Sequence, residues 1–225
     1  MELSDNTVAI LKNYASINPN IIVFEGNNLK TISVAKNVVS STKIDNEFPK
    51  TFGIYDLDEF LRVLGLVDQP RLKFEEDYVL VADSAGRSRI KYFYAEREVL
   101  TTPTKEIIFP DPEVSFTMDS TTINRVRRAA SALGHKEVSI TSSGPNLISI
   151  SVIDSSDKTS NVFSIDVDGS FSDENFDFRV DIENLKMIDG DYTVELSSKQ
   201  ISHFVNKELP LEYWVALKPT STYGA

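Results

Sequence analysis

The chain has 225 residues, 34 of them acidic and 23 basic for a formal net charge of −11, with 41% hydrophobic residues and no cysteine. This length suits one large domain or two small ones with a substantial core, and the missing cysteines exclude disulfides and thiolate metal sites. So acidic a chain does not coat nucleic acid with its whole surface, but one basic patch on an acidic body stays open.

No apolar run reaches the 18 residues of a membrane span, "MELSDNTVAI" has neither the basic start nor the apolar core of a signal peptide, and the missing cysteines fit an intracellular protein. The first amphipathic helix is predicted over about Ser4 to Ile17, with Val8, Leu11 and Ala15 on one side, Tyr14 beside them, and Lys12, Asn13 and Ser16 opposite. "EGNN" at 25–28 carries hairpin-turn residues. The second helix is expected over Asp56 to Val67, where Asp56 is a natural N-cap and Glu59 completes a capping box. Leu57, Phe60, Leu61, Leu64 and Val67 form its stripe, and Arg62 points away. "RLKFEEDYVLVAD" and "SRIKYFYA" then alternate as half-buried strands.

Residues 97–114, with Pro103, Pro110 and Pro112, read as an extended connector. After it the pattern restarts. A third helix follows the N-cap Asp119 and ends near Gly134, with Ile123, Val126, Ala130 and Leu133 inward. Arg125 and Arg128 straddle the opposite pole, Arg127 flanks it, and Lys136 follows. "SSGPN" at 142–146 and "DVDGS" at 166–170 carry turn residues, and "FDFRVDI" alternates as a strand. A fourth, two-turn helix is expected in "DIENLKMID", with Ile182, Leu185 and Ile188 inward and Lys186 off the stripe. "DYTVELSSK" and "LEYWVALK" close the chain as strands. The order predicts an α+β architecture of two repeated domains, each of antiparallel sheet with two helices: 1–106, a connector at 107–114 whose proline-marked approach starts near 97, and 115–225.

Catalytic and cofactor motifs are missing: there is no GxGxxG, Walker A, HExxH or GxSxG. His135 and His203 are the only histidines; His135 sits at a helix C-terminus, where a capping role is expected, and no nucleophile or carboxylate dyad is placed with it. "DVDGSFSDENFD" at 166–177 fails the calcium-loop template, because Gly169 stands at its fourth position and no glutamate at its twelfth. The expectation is a non-enzyme without cofactor, metal or catalytic residues. Placed equivalently in a repeat, the four helices offer Lys12, Arg62, the Arg125–Arg128 cluster and Lys186, although Asp58 and Glu59 dilute Arg62. A concave basic surface on an acidic body suits sequence-independent contact with a phosphate backbone.

Five blocks, "LSDNTVAILKNYASINPNI" at the start, "IYDLDEFLRVLGLV" at 54–67, "IIFP" at 107–110, and "ENLKMIDGDYTVEL" with "YWVALKPTSTYGA" at the end, resemble in order and spacing the sliding clamps of T-even-type bacteriophages. Residues 24–50 and 140–175 resemble that family in pattern only. The resemblance implies the DNA-clamp fold, and a homotrimeric ring of pseudo-six-fold symmetry with helices lining the hole and sheets outside. Such a ring encircles double-stranded DNA and tethers the replicative phage DNA polymerase for processive synthesis. The resemblance further implies an ATP-driven clamp loader, and partner peptides docking into an apolar pocket whose place the sequence does not assign. It also implies that the work is done in the cytoplasm of the infected bacterial host. Lys12 matches the family's first-helix lysine and Arg128 a third-helix arginine; Arg125 and Arg127 share that helix, and Lys186 falls in the "NLKM" block. With Arg62 and Lys136 these are the residues expected to meet DNA in the hole. Two other readings stand beside it: a β-rich structural phage protein that oligomerises without touching DNA, and a single-strand-binding protein using "RIKYFYAER" at 89–97, whose alternation more simply marks a strand.

Overall fold

The structure, a computed structural model, describes residues 1–224 and divides the chain into two compact units, Met1–Glu106 and the remainder from Ile107. The first unit runs α1 (Asp5–Ile17), β1 (Ile21–Val23), β2 (Gly26–Ile32), β3 (Val38–Phe48), β4 (Phe52–Ile54), α2 (Leu57–Gly65), β5 (Arg71–Phe74), β6 (Tyr78–Ala82) and β7 (Arg89–Phe93). Its pairings are antiparallel: β1 with β4, β2 with β3, and the order β5-β6-β7. Ser4 caps α1 by accepting from the Thr7 amide at 3.1 Å. The buried stripe of α1 is Thr7, Ile10, Leu11 and Tyr14, with Val8 only half-buried. Tyr14 anchors that rotation. It is fully buried, its hydroxyl donates to Leu29 O and accepts from Ser40 Oγ, and burial pushes its pKa up.

The second unit runs β8 (Val114–Met118), α3 (Ser120–Leu133), β9 (Glu137–Gly144), β10 (Leu147–Ile153), β11 (Phe163–Phe171), β12 (Phe176–Asp181), β13 (Tyr192–Ser197), β14 (Ile201–Asn206), β15 (Leu211–Ala216) and β16 (Thr222–Tyr223). The strands lie in the order β16-β12-β9-β10-β11-β8-β13-β14-β15, all antiparallel. Ile140, Ile148, Ile150, Val152, Phe178 and Val180 build the core on one stretch of that sheet, and Tyr192, Val194, Phe204, Tyr213 and Val215 on the other.

Two expectations are corrected. The helix expected over 181–189 is one 3-10 turn, Ile182–Asn184, after which Leu185 leaves helical geometry at φ −85°, ψ 48°. Nine residues are too few to hold a helix without a packed face. Leu185 and Met187 are both buried with exposed Lys186 between them, the alternation of an extended segment. "DVDGS" is no turn but the middle of β11. Gly169 is there because a side chain would collide with its neighbours: a Cβ would run into the Ile148 side chain and lie 3.2 Å from Ser115 O. At that glycine β11 changes partner, from β10 to β8.

The β9–β12 pair carries a charge network. Glu137, whose side chain is 5% exposed, meets Arg179 Nη1 at 3.3 Å and Lys218 Nζ at 2.5 Å. Arg179 also holds Asp177 at 2.6 Å, and Lys218 holds Asp181 at 3.0 Å. Breaking a buried pair from one side costs ~3–5 kcal/mol. Here both cations keep a second carboxylate and reach solvent, so Glu137→Ala should cost about 2–3 kcal/mol in chemical denaturation, and Glu137→Gln less. Bonds to Glu137 and Asp181 raise the Lys218 pKa. Its contribution is therefore complete below the ordinary lysine value and fades only as pH rises through the higher folded value.

Candidate nucleic-acid interface

Helix α3 is specified at both ends. The Asp119 carboxylate accepts from the Thr122 amide at 2.7 Å, and Gly134 ends the helix in the left-handed region at φ 70°. The amide and hydroxyl of Thr122 hold the Asp119 carboxyl below its ordinary range, with a smaller pull from Arg125. Thr122, Ile123, Val126 and Ala130 face the core; Leu133 is half-buried. Thr121, Arg125, Arg128 and Ala132 then form one exposed row at helical spacing. Between its ends α3 contains no acidic residue, and the acid the helix sets near that row is its cap, Asp119.

The arginines divide. Arg125 and Arg128 are exposed, Arg128 donating Nε–H to Asn124 O at 3.3 Å. Arg127 is not a solvent-facing cation. Its Nη2 donates to Leu185 O at 2.9 Å and Met187 O at 2.8 Å, its Nη1 pairs with Asp189 at 3.0 Å, and its side chain is 28% exposed. Arg127 therefore ties α3 to the irregular stretch 185–189, which carries exposed Lys186. Lys136 is exposed just beyond α3. His135 donates its main-chain N–H to Ala130 O at 3.1 Å, and its ring Nε2 lies 2.7 Å from Asn161 O.

In the first unit Lys12 lies on the exposed row Asp5, Ala9, Lys12, Ser16 of α1. The Asp56 cap of α2 accepts from the Glu59 amide at 2.7 Å. Arg62 is 69% exposed and reaches the Asp56 carboxylate only at 4.0 Å. Asp58 and Glu59 are exposed on the same helix, so α2 presents more negative than positive charge. Exposed cations thus stand on α3 and at Lys136 and Lys186 in the second unit, and at Lys12 and, among more numerous acids, Arg62 in the first.

Sequence reasoning missed what Arg127 holds. Ile188 N donates to Tyr213 Oη at 3.3 Å, and Tyr192 Oη donates to Ile188 O at 2.6 Å. With Arg127, three side chains from elsewhere in the unit satisfy the backbone of a stretch without its own hydrogen-bond ladder. His203 lies between Glu195 (3.1 Å) and Glu212 (2.9 Å), stacked on Trp214 and beside Phe109 of the connector.

Two further strands matter for assembly. Among the described residues β7 pairs with β6 alone, and the first part of β11, 163–168, with β10 alone. Arg89 and Lys91 are exposed on one face of β7; on its other face Tyr92 donates its hydroxyl to Asp56 O at 3.0 Å. Asp166 and Asp168 are exposed on one face of β11, while Ile165 and Val167 lie opposite buried Ile150 and Ile148. One edge is basic and the other acidic, and both turn their apolar face to the core.

Residues 4–96 match the family model for the DNA polymerase processivity factor, and residues 115–219 that for the gp45 sliding clamp, C terminal. The chain is 31% identical to the sliding clamp of Vibrio phage KVP40 over 96% of its length and 98% of that protein's. It is 28% identical to the sliding clamp of Escherichia phage RB69, covering 99% of both. The fold is that of the proliferating cellular nuclear antigen of Entamoeba histolytica, at a TM-score of 0.67 and 15% identity over 94% of each chain.

Proposed function

The chain belongs to the sliding-clamp family of bacteriophage DNA polymerase processivity factors, and from that premise we propose that three copies close around duplex DNA and tether the replicative polymerase to it. The observation that carries the reading beyond family is the acid-free α3 with its exposed Arg125 and Arg128 in a chain of net charge −11. An acidic exterior repels DNA and confines contact to the basic face. Lys12, Arg125, Arg128, Lys136 and Lys186 are the phosphate contacts proposed here; Arg62 contributes least, and Arg127 has another role. Such contacts must be few and exchanging, because a clamp that grips does not slide. Processivity then comes from encirclement and from the effective concentration that tethering gives the polymerase. None of this needs a bond made or broken by the clamp itself.

A head-to-tail ring uses two different edges of each subunit. The edges proposed are β7 and β11: antiparallel pairing with Lys91 opposite Asp166 and Arg89 opposite Asp168 joins unlike charges on one face. It also places Ile90 and Tyr92 beside Val167 and Ile165 on the other, and covers two open strand edges. An ATP-driven loader opens the ring, in the cytoplasm of the infected bacterium. The test is mass in solution with retention on DNA. Three 25.2 kDa chains should give a particle of about 76 kDa. Once loaded, it should stay on circular duplex and run off linear duplex. A stable monomer, or equal retention on both forms, overturns the reading.

A further inference from the structure

Arg127 has the right chemistry for a DNA contact and the wrong surroundings. One Nη is shared by two main-chain carbonyls, Leu185 O and Met187 O, and the other pairs with Asp189. Those carbonyls flank Lys186, which is exposed while both neighbours are buried. The stretch has no ladder of its own after the 3-10 turn ends at Asn184, so its course is set by Arg127, Tyr192 and Tyr213. Of these, only Arg127 belongs to the helix that presents Arg125 and Arg128.

From this we infer that Arg127 is a positioning residue for DNA contact: it staples the 185–189 stretch to α3 so that Lys186 joins the Arg125–Arg128 row as part of one cationic face. The inference rests on the clamp reading above. The planar guanidinium fork suits the job, since it donates to two carbonyls and a carboxylate at once in fixed geometry, which a lysine ammonium cannot reproduce. It also neutralises Asp189, which would otherwise stand as an exposed acid beside the basic face.

The test compares intact clamps loaded on nicked circular duplex DNA across a salt series, with hydrogen exchange on the same proteins. Lys186→Ala should lower the salt slope of retention by ~0.9 for each phosphate left unneutralised. Pairing Arg127→Gln with Asp189→Asn removes the staple at constant net charge. This pair should lower the slope as much as Lys186→Ala and speed exchange at 185–189, with the α3 core still protected. Adding Lys186→Ala to it should lower the slope no further. Arg127→Lys, which keeps charge and bulk should the double variant fold poorly, should show the same fall and the same lack of additivity. Additive falls would make Arg127 a phosphate contact in its own right and overturn the inference. So would wild-type retention despite faster exchange at 185–189. Arg125→Ala is the control: if it lowers the slope while the staple variants do not, only the staple fails, and if it too changes nothing, the basic face fails and the staple with it.

Discussion

Reversing the acidic edge, Asp166→Lys with Asp168→Lys, should abolish the ring and leave a folded 25.2 kDa monomer. Both side chains are exposed on β11, so the unit keeps its core. Opposite charges directly across two strands contribute roughly 0.2–1 kcal/mol per pair, and like charges repel by a similar amount. Two pairs turned from attraction to repulsion shift each joint by ~1–4 kcal/mol, and a closed ring contains three identical joints. The total of ~3–12 kcal/mol is enough to dissociate the trimer at micromolar concentration. Arg89→Glu with Lys91→Glu should do the same from the other edge. The decisive protein carries both reversals in one chain: every joint again has unlike charges facing, with polarity exchanged, so the trimer should return. Sedimentation of the three variants beside the wild type reads this directly. Trimers from both single-edge variants, or no recovery in the combined one, would show that the subunits join elsewhere.

The sequence carried the helices whose ends are marked by local chemistry. Asp56 and Asp119 cap where the sequence marks them, accepting from the Glu59 and Thr122 amides, and Gly134 stops α3 because it takes φ 70° without strain. Strand alternation was equally plain in "DYTVELSSK" and "LEYWVALK", which are β13 and β15. What was illegible depended on neighbours distant in the chain. Ile182, Leu185 and Ile188 have helical spacing, yet the backbone there is satisfied by Arg127, Tyr192 and Tyr213, the first of them 58 residues before Leu185. "DVDGS" has a turn's composition, but its glycine answers to Ile148 on the adjacent strand. A helical wheel placed Arg127 correctly on the flank of α3. It could not say whether that flank meets solvent or another part of the chain, and that difference separates a DNA contact from a staple. The opposed charges of β7 and β11 are visible as letters, but gain meaning only once each strand is known to lie at an edge.

Replacing Arg125 and Arg128 together by alanine should produce a clamp that assembles and binds polymerase but holds DNA poorly. Both lie on the exposed row of α3, away from Ile123, Val126 and Ala130, and alanine is the better helix former, so fold and trimer mass should not change. Each phosphate that is no longer neutralised lowers the salt slope by ~0.9, so six arginines per ring acting at once would lower it by ~5. A sliding clamp engages only some of them at a time, and a fall of ~2–3 is expected. Because no base edge is read, the weakening should be the same on every duplex sequence. Arg62→Ala should change retention much less, since Asp56 lies 4.0 Å from that guanidinium and Asp58 and Glu59 already oppose its charge. The order of effect, α3 well above α2, separates a specific basic face from a general drop in positive charge. If the double variant forms its trimer and its retention follows the wild-type curve at every salt concentration, Arg125 and Arg128 are a solvated helix face and the duplex is held elsewhere.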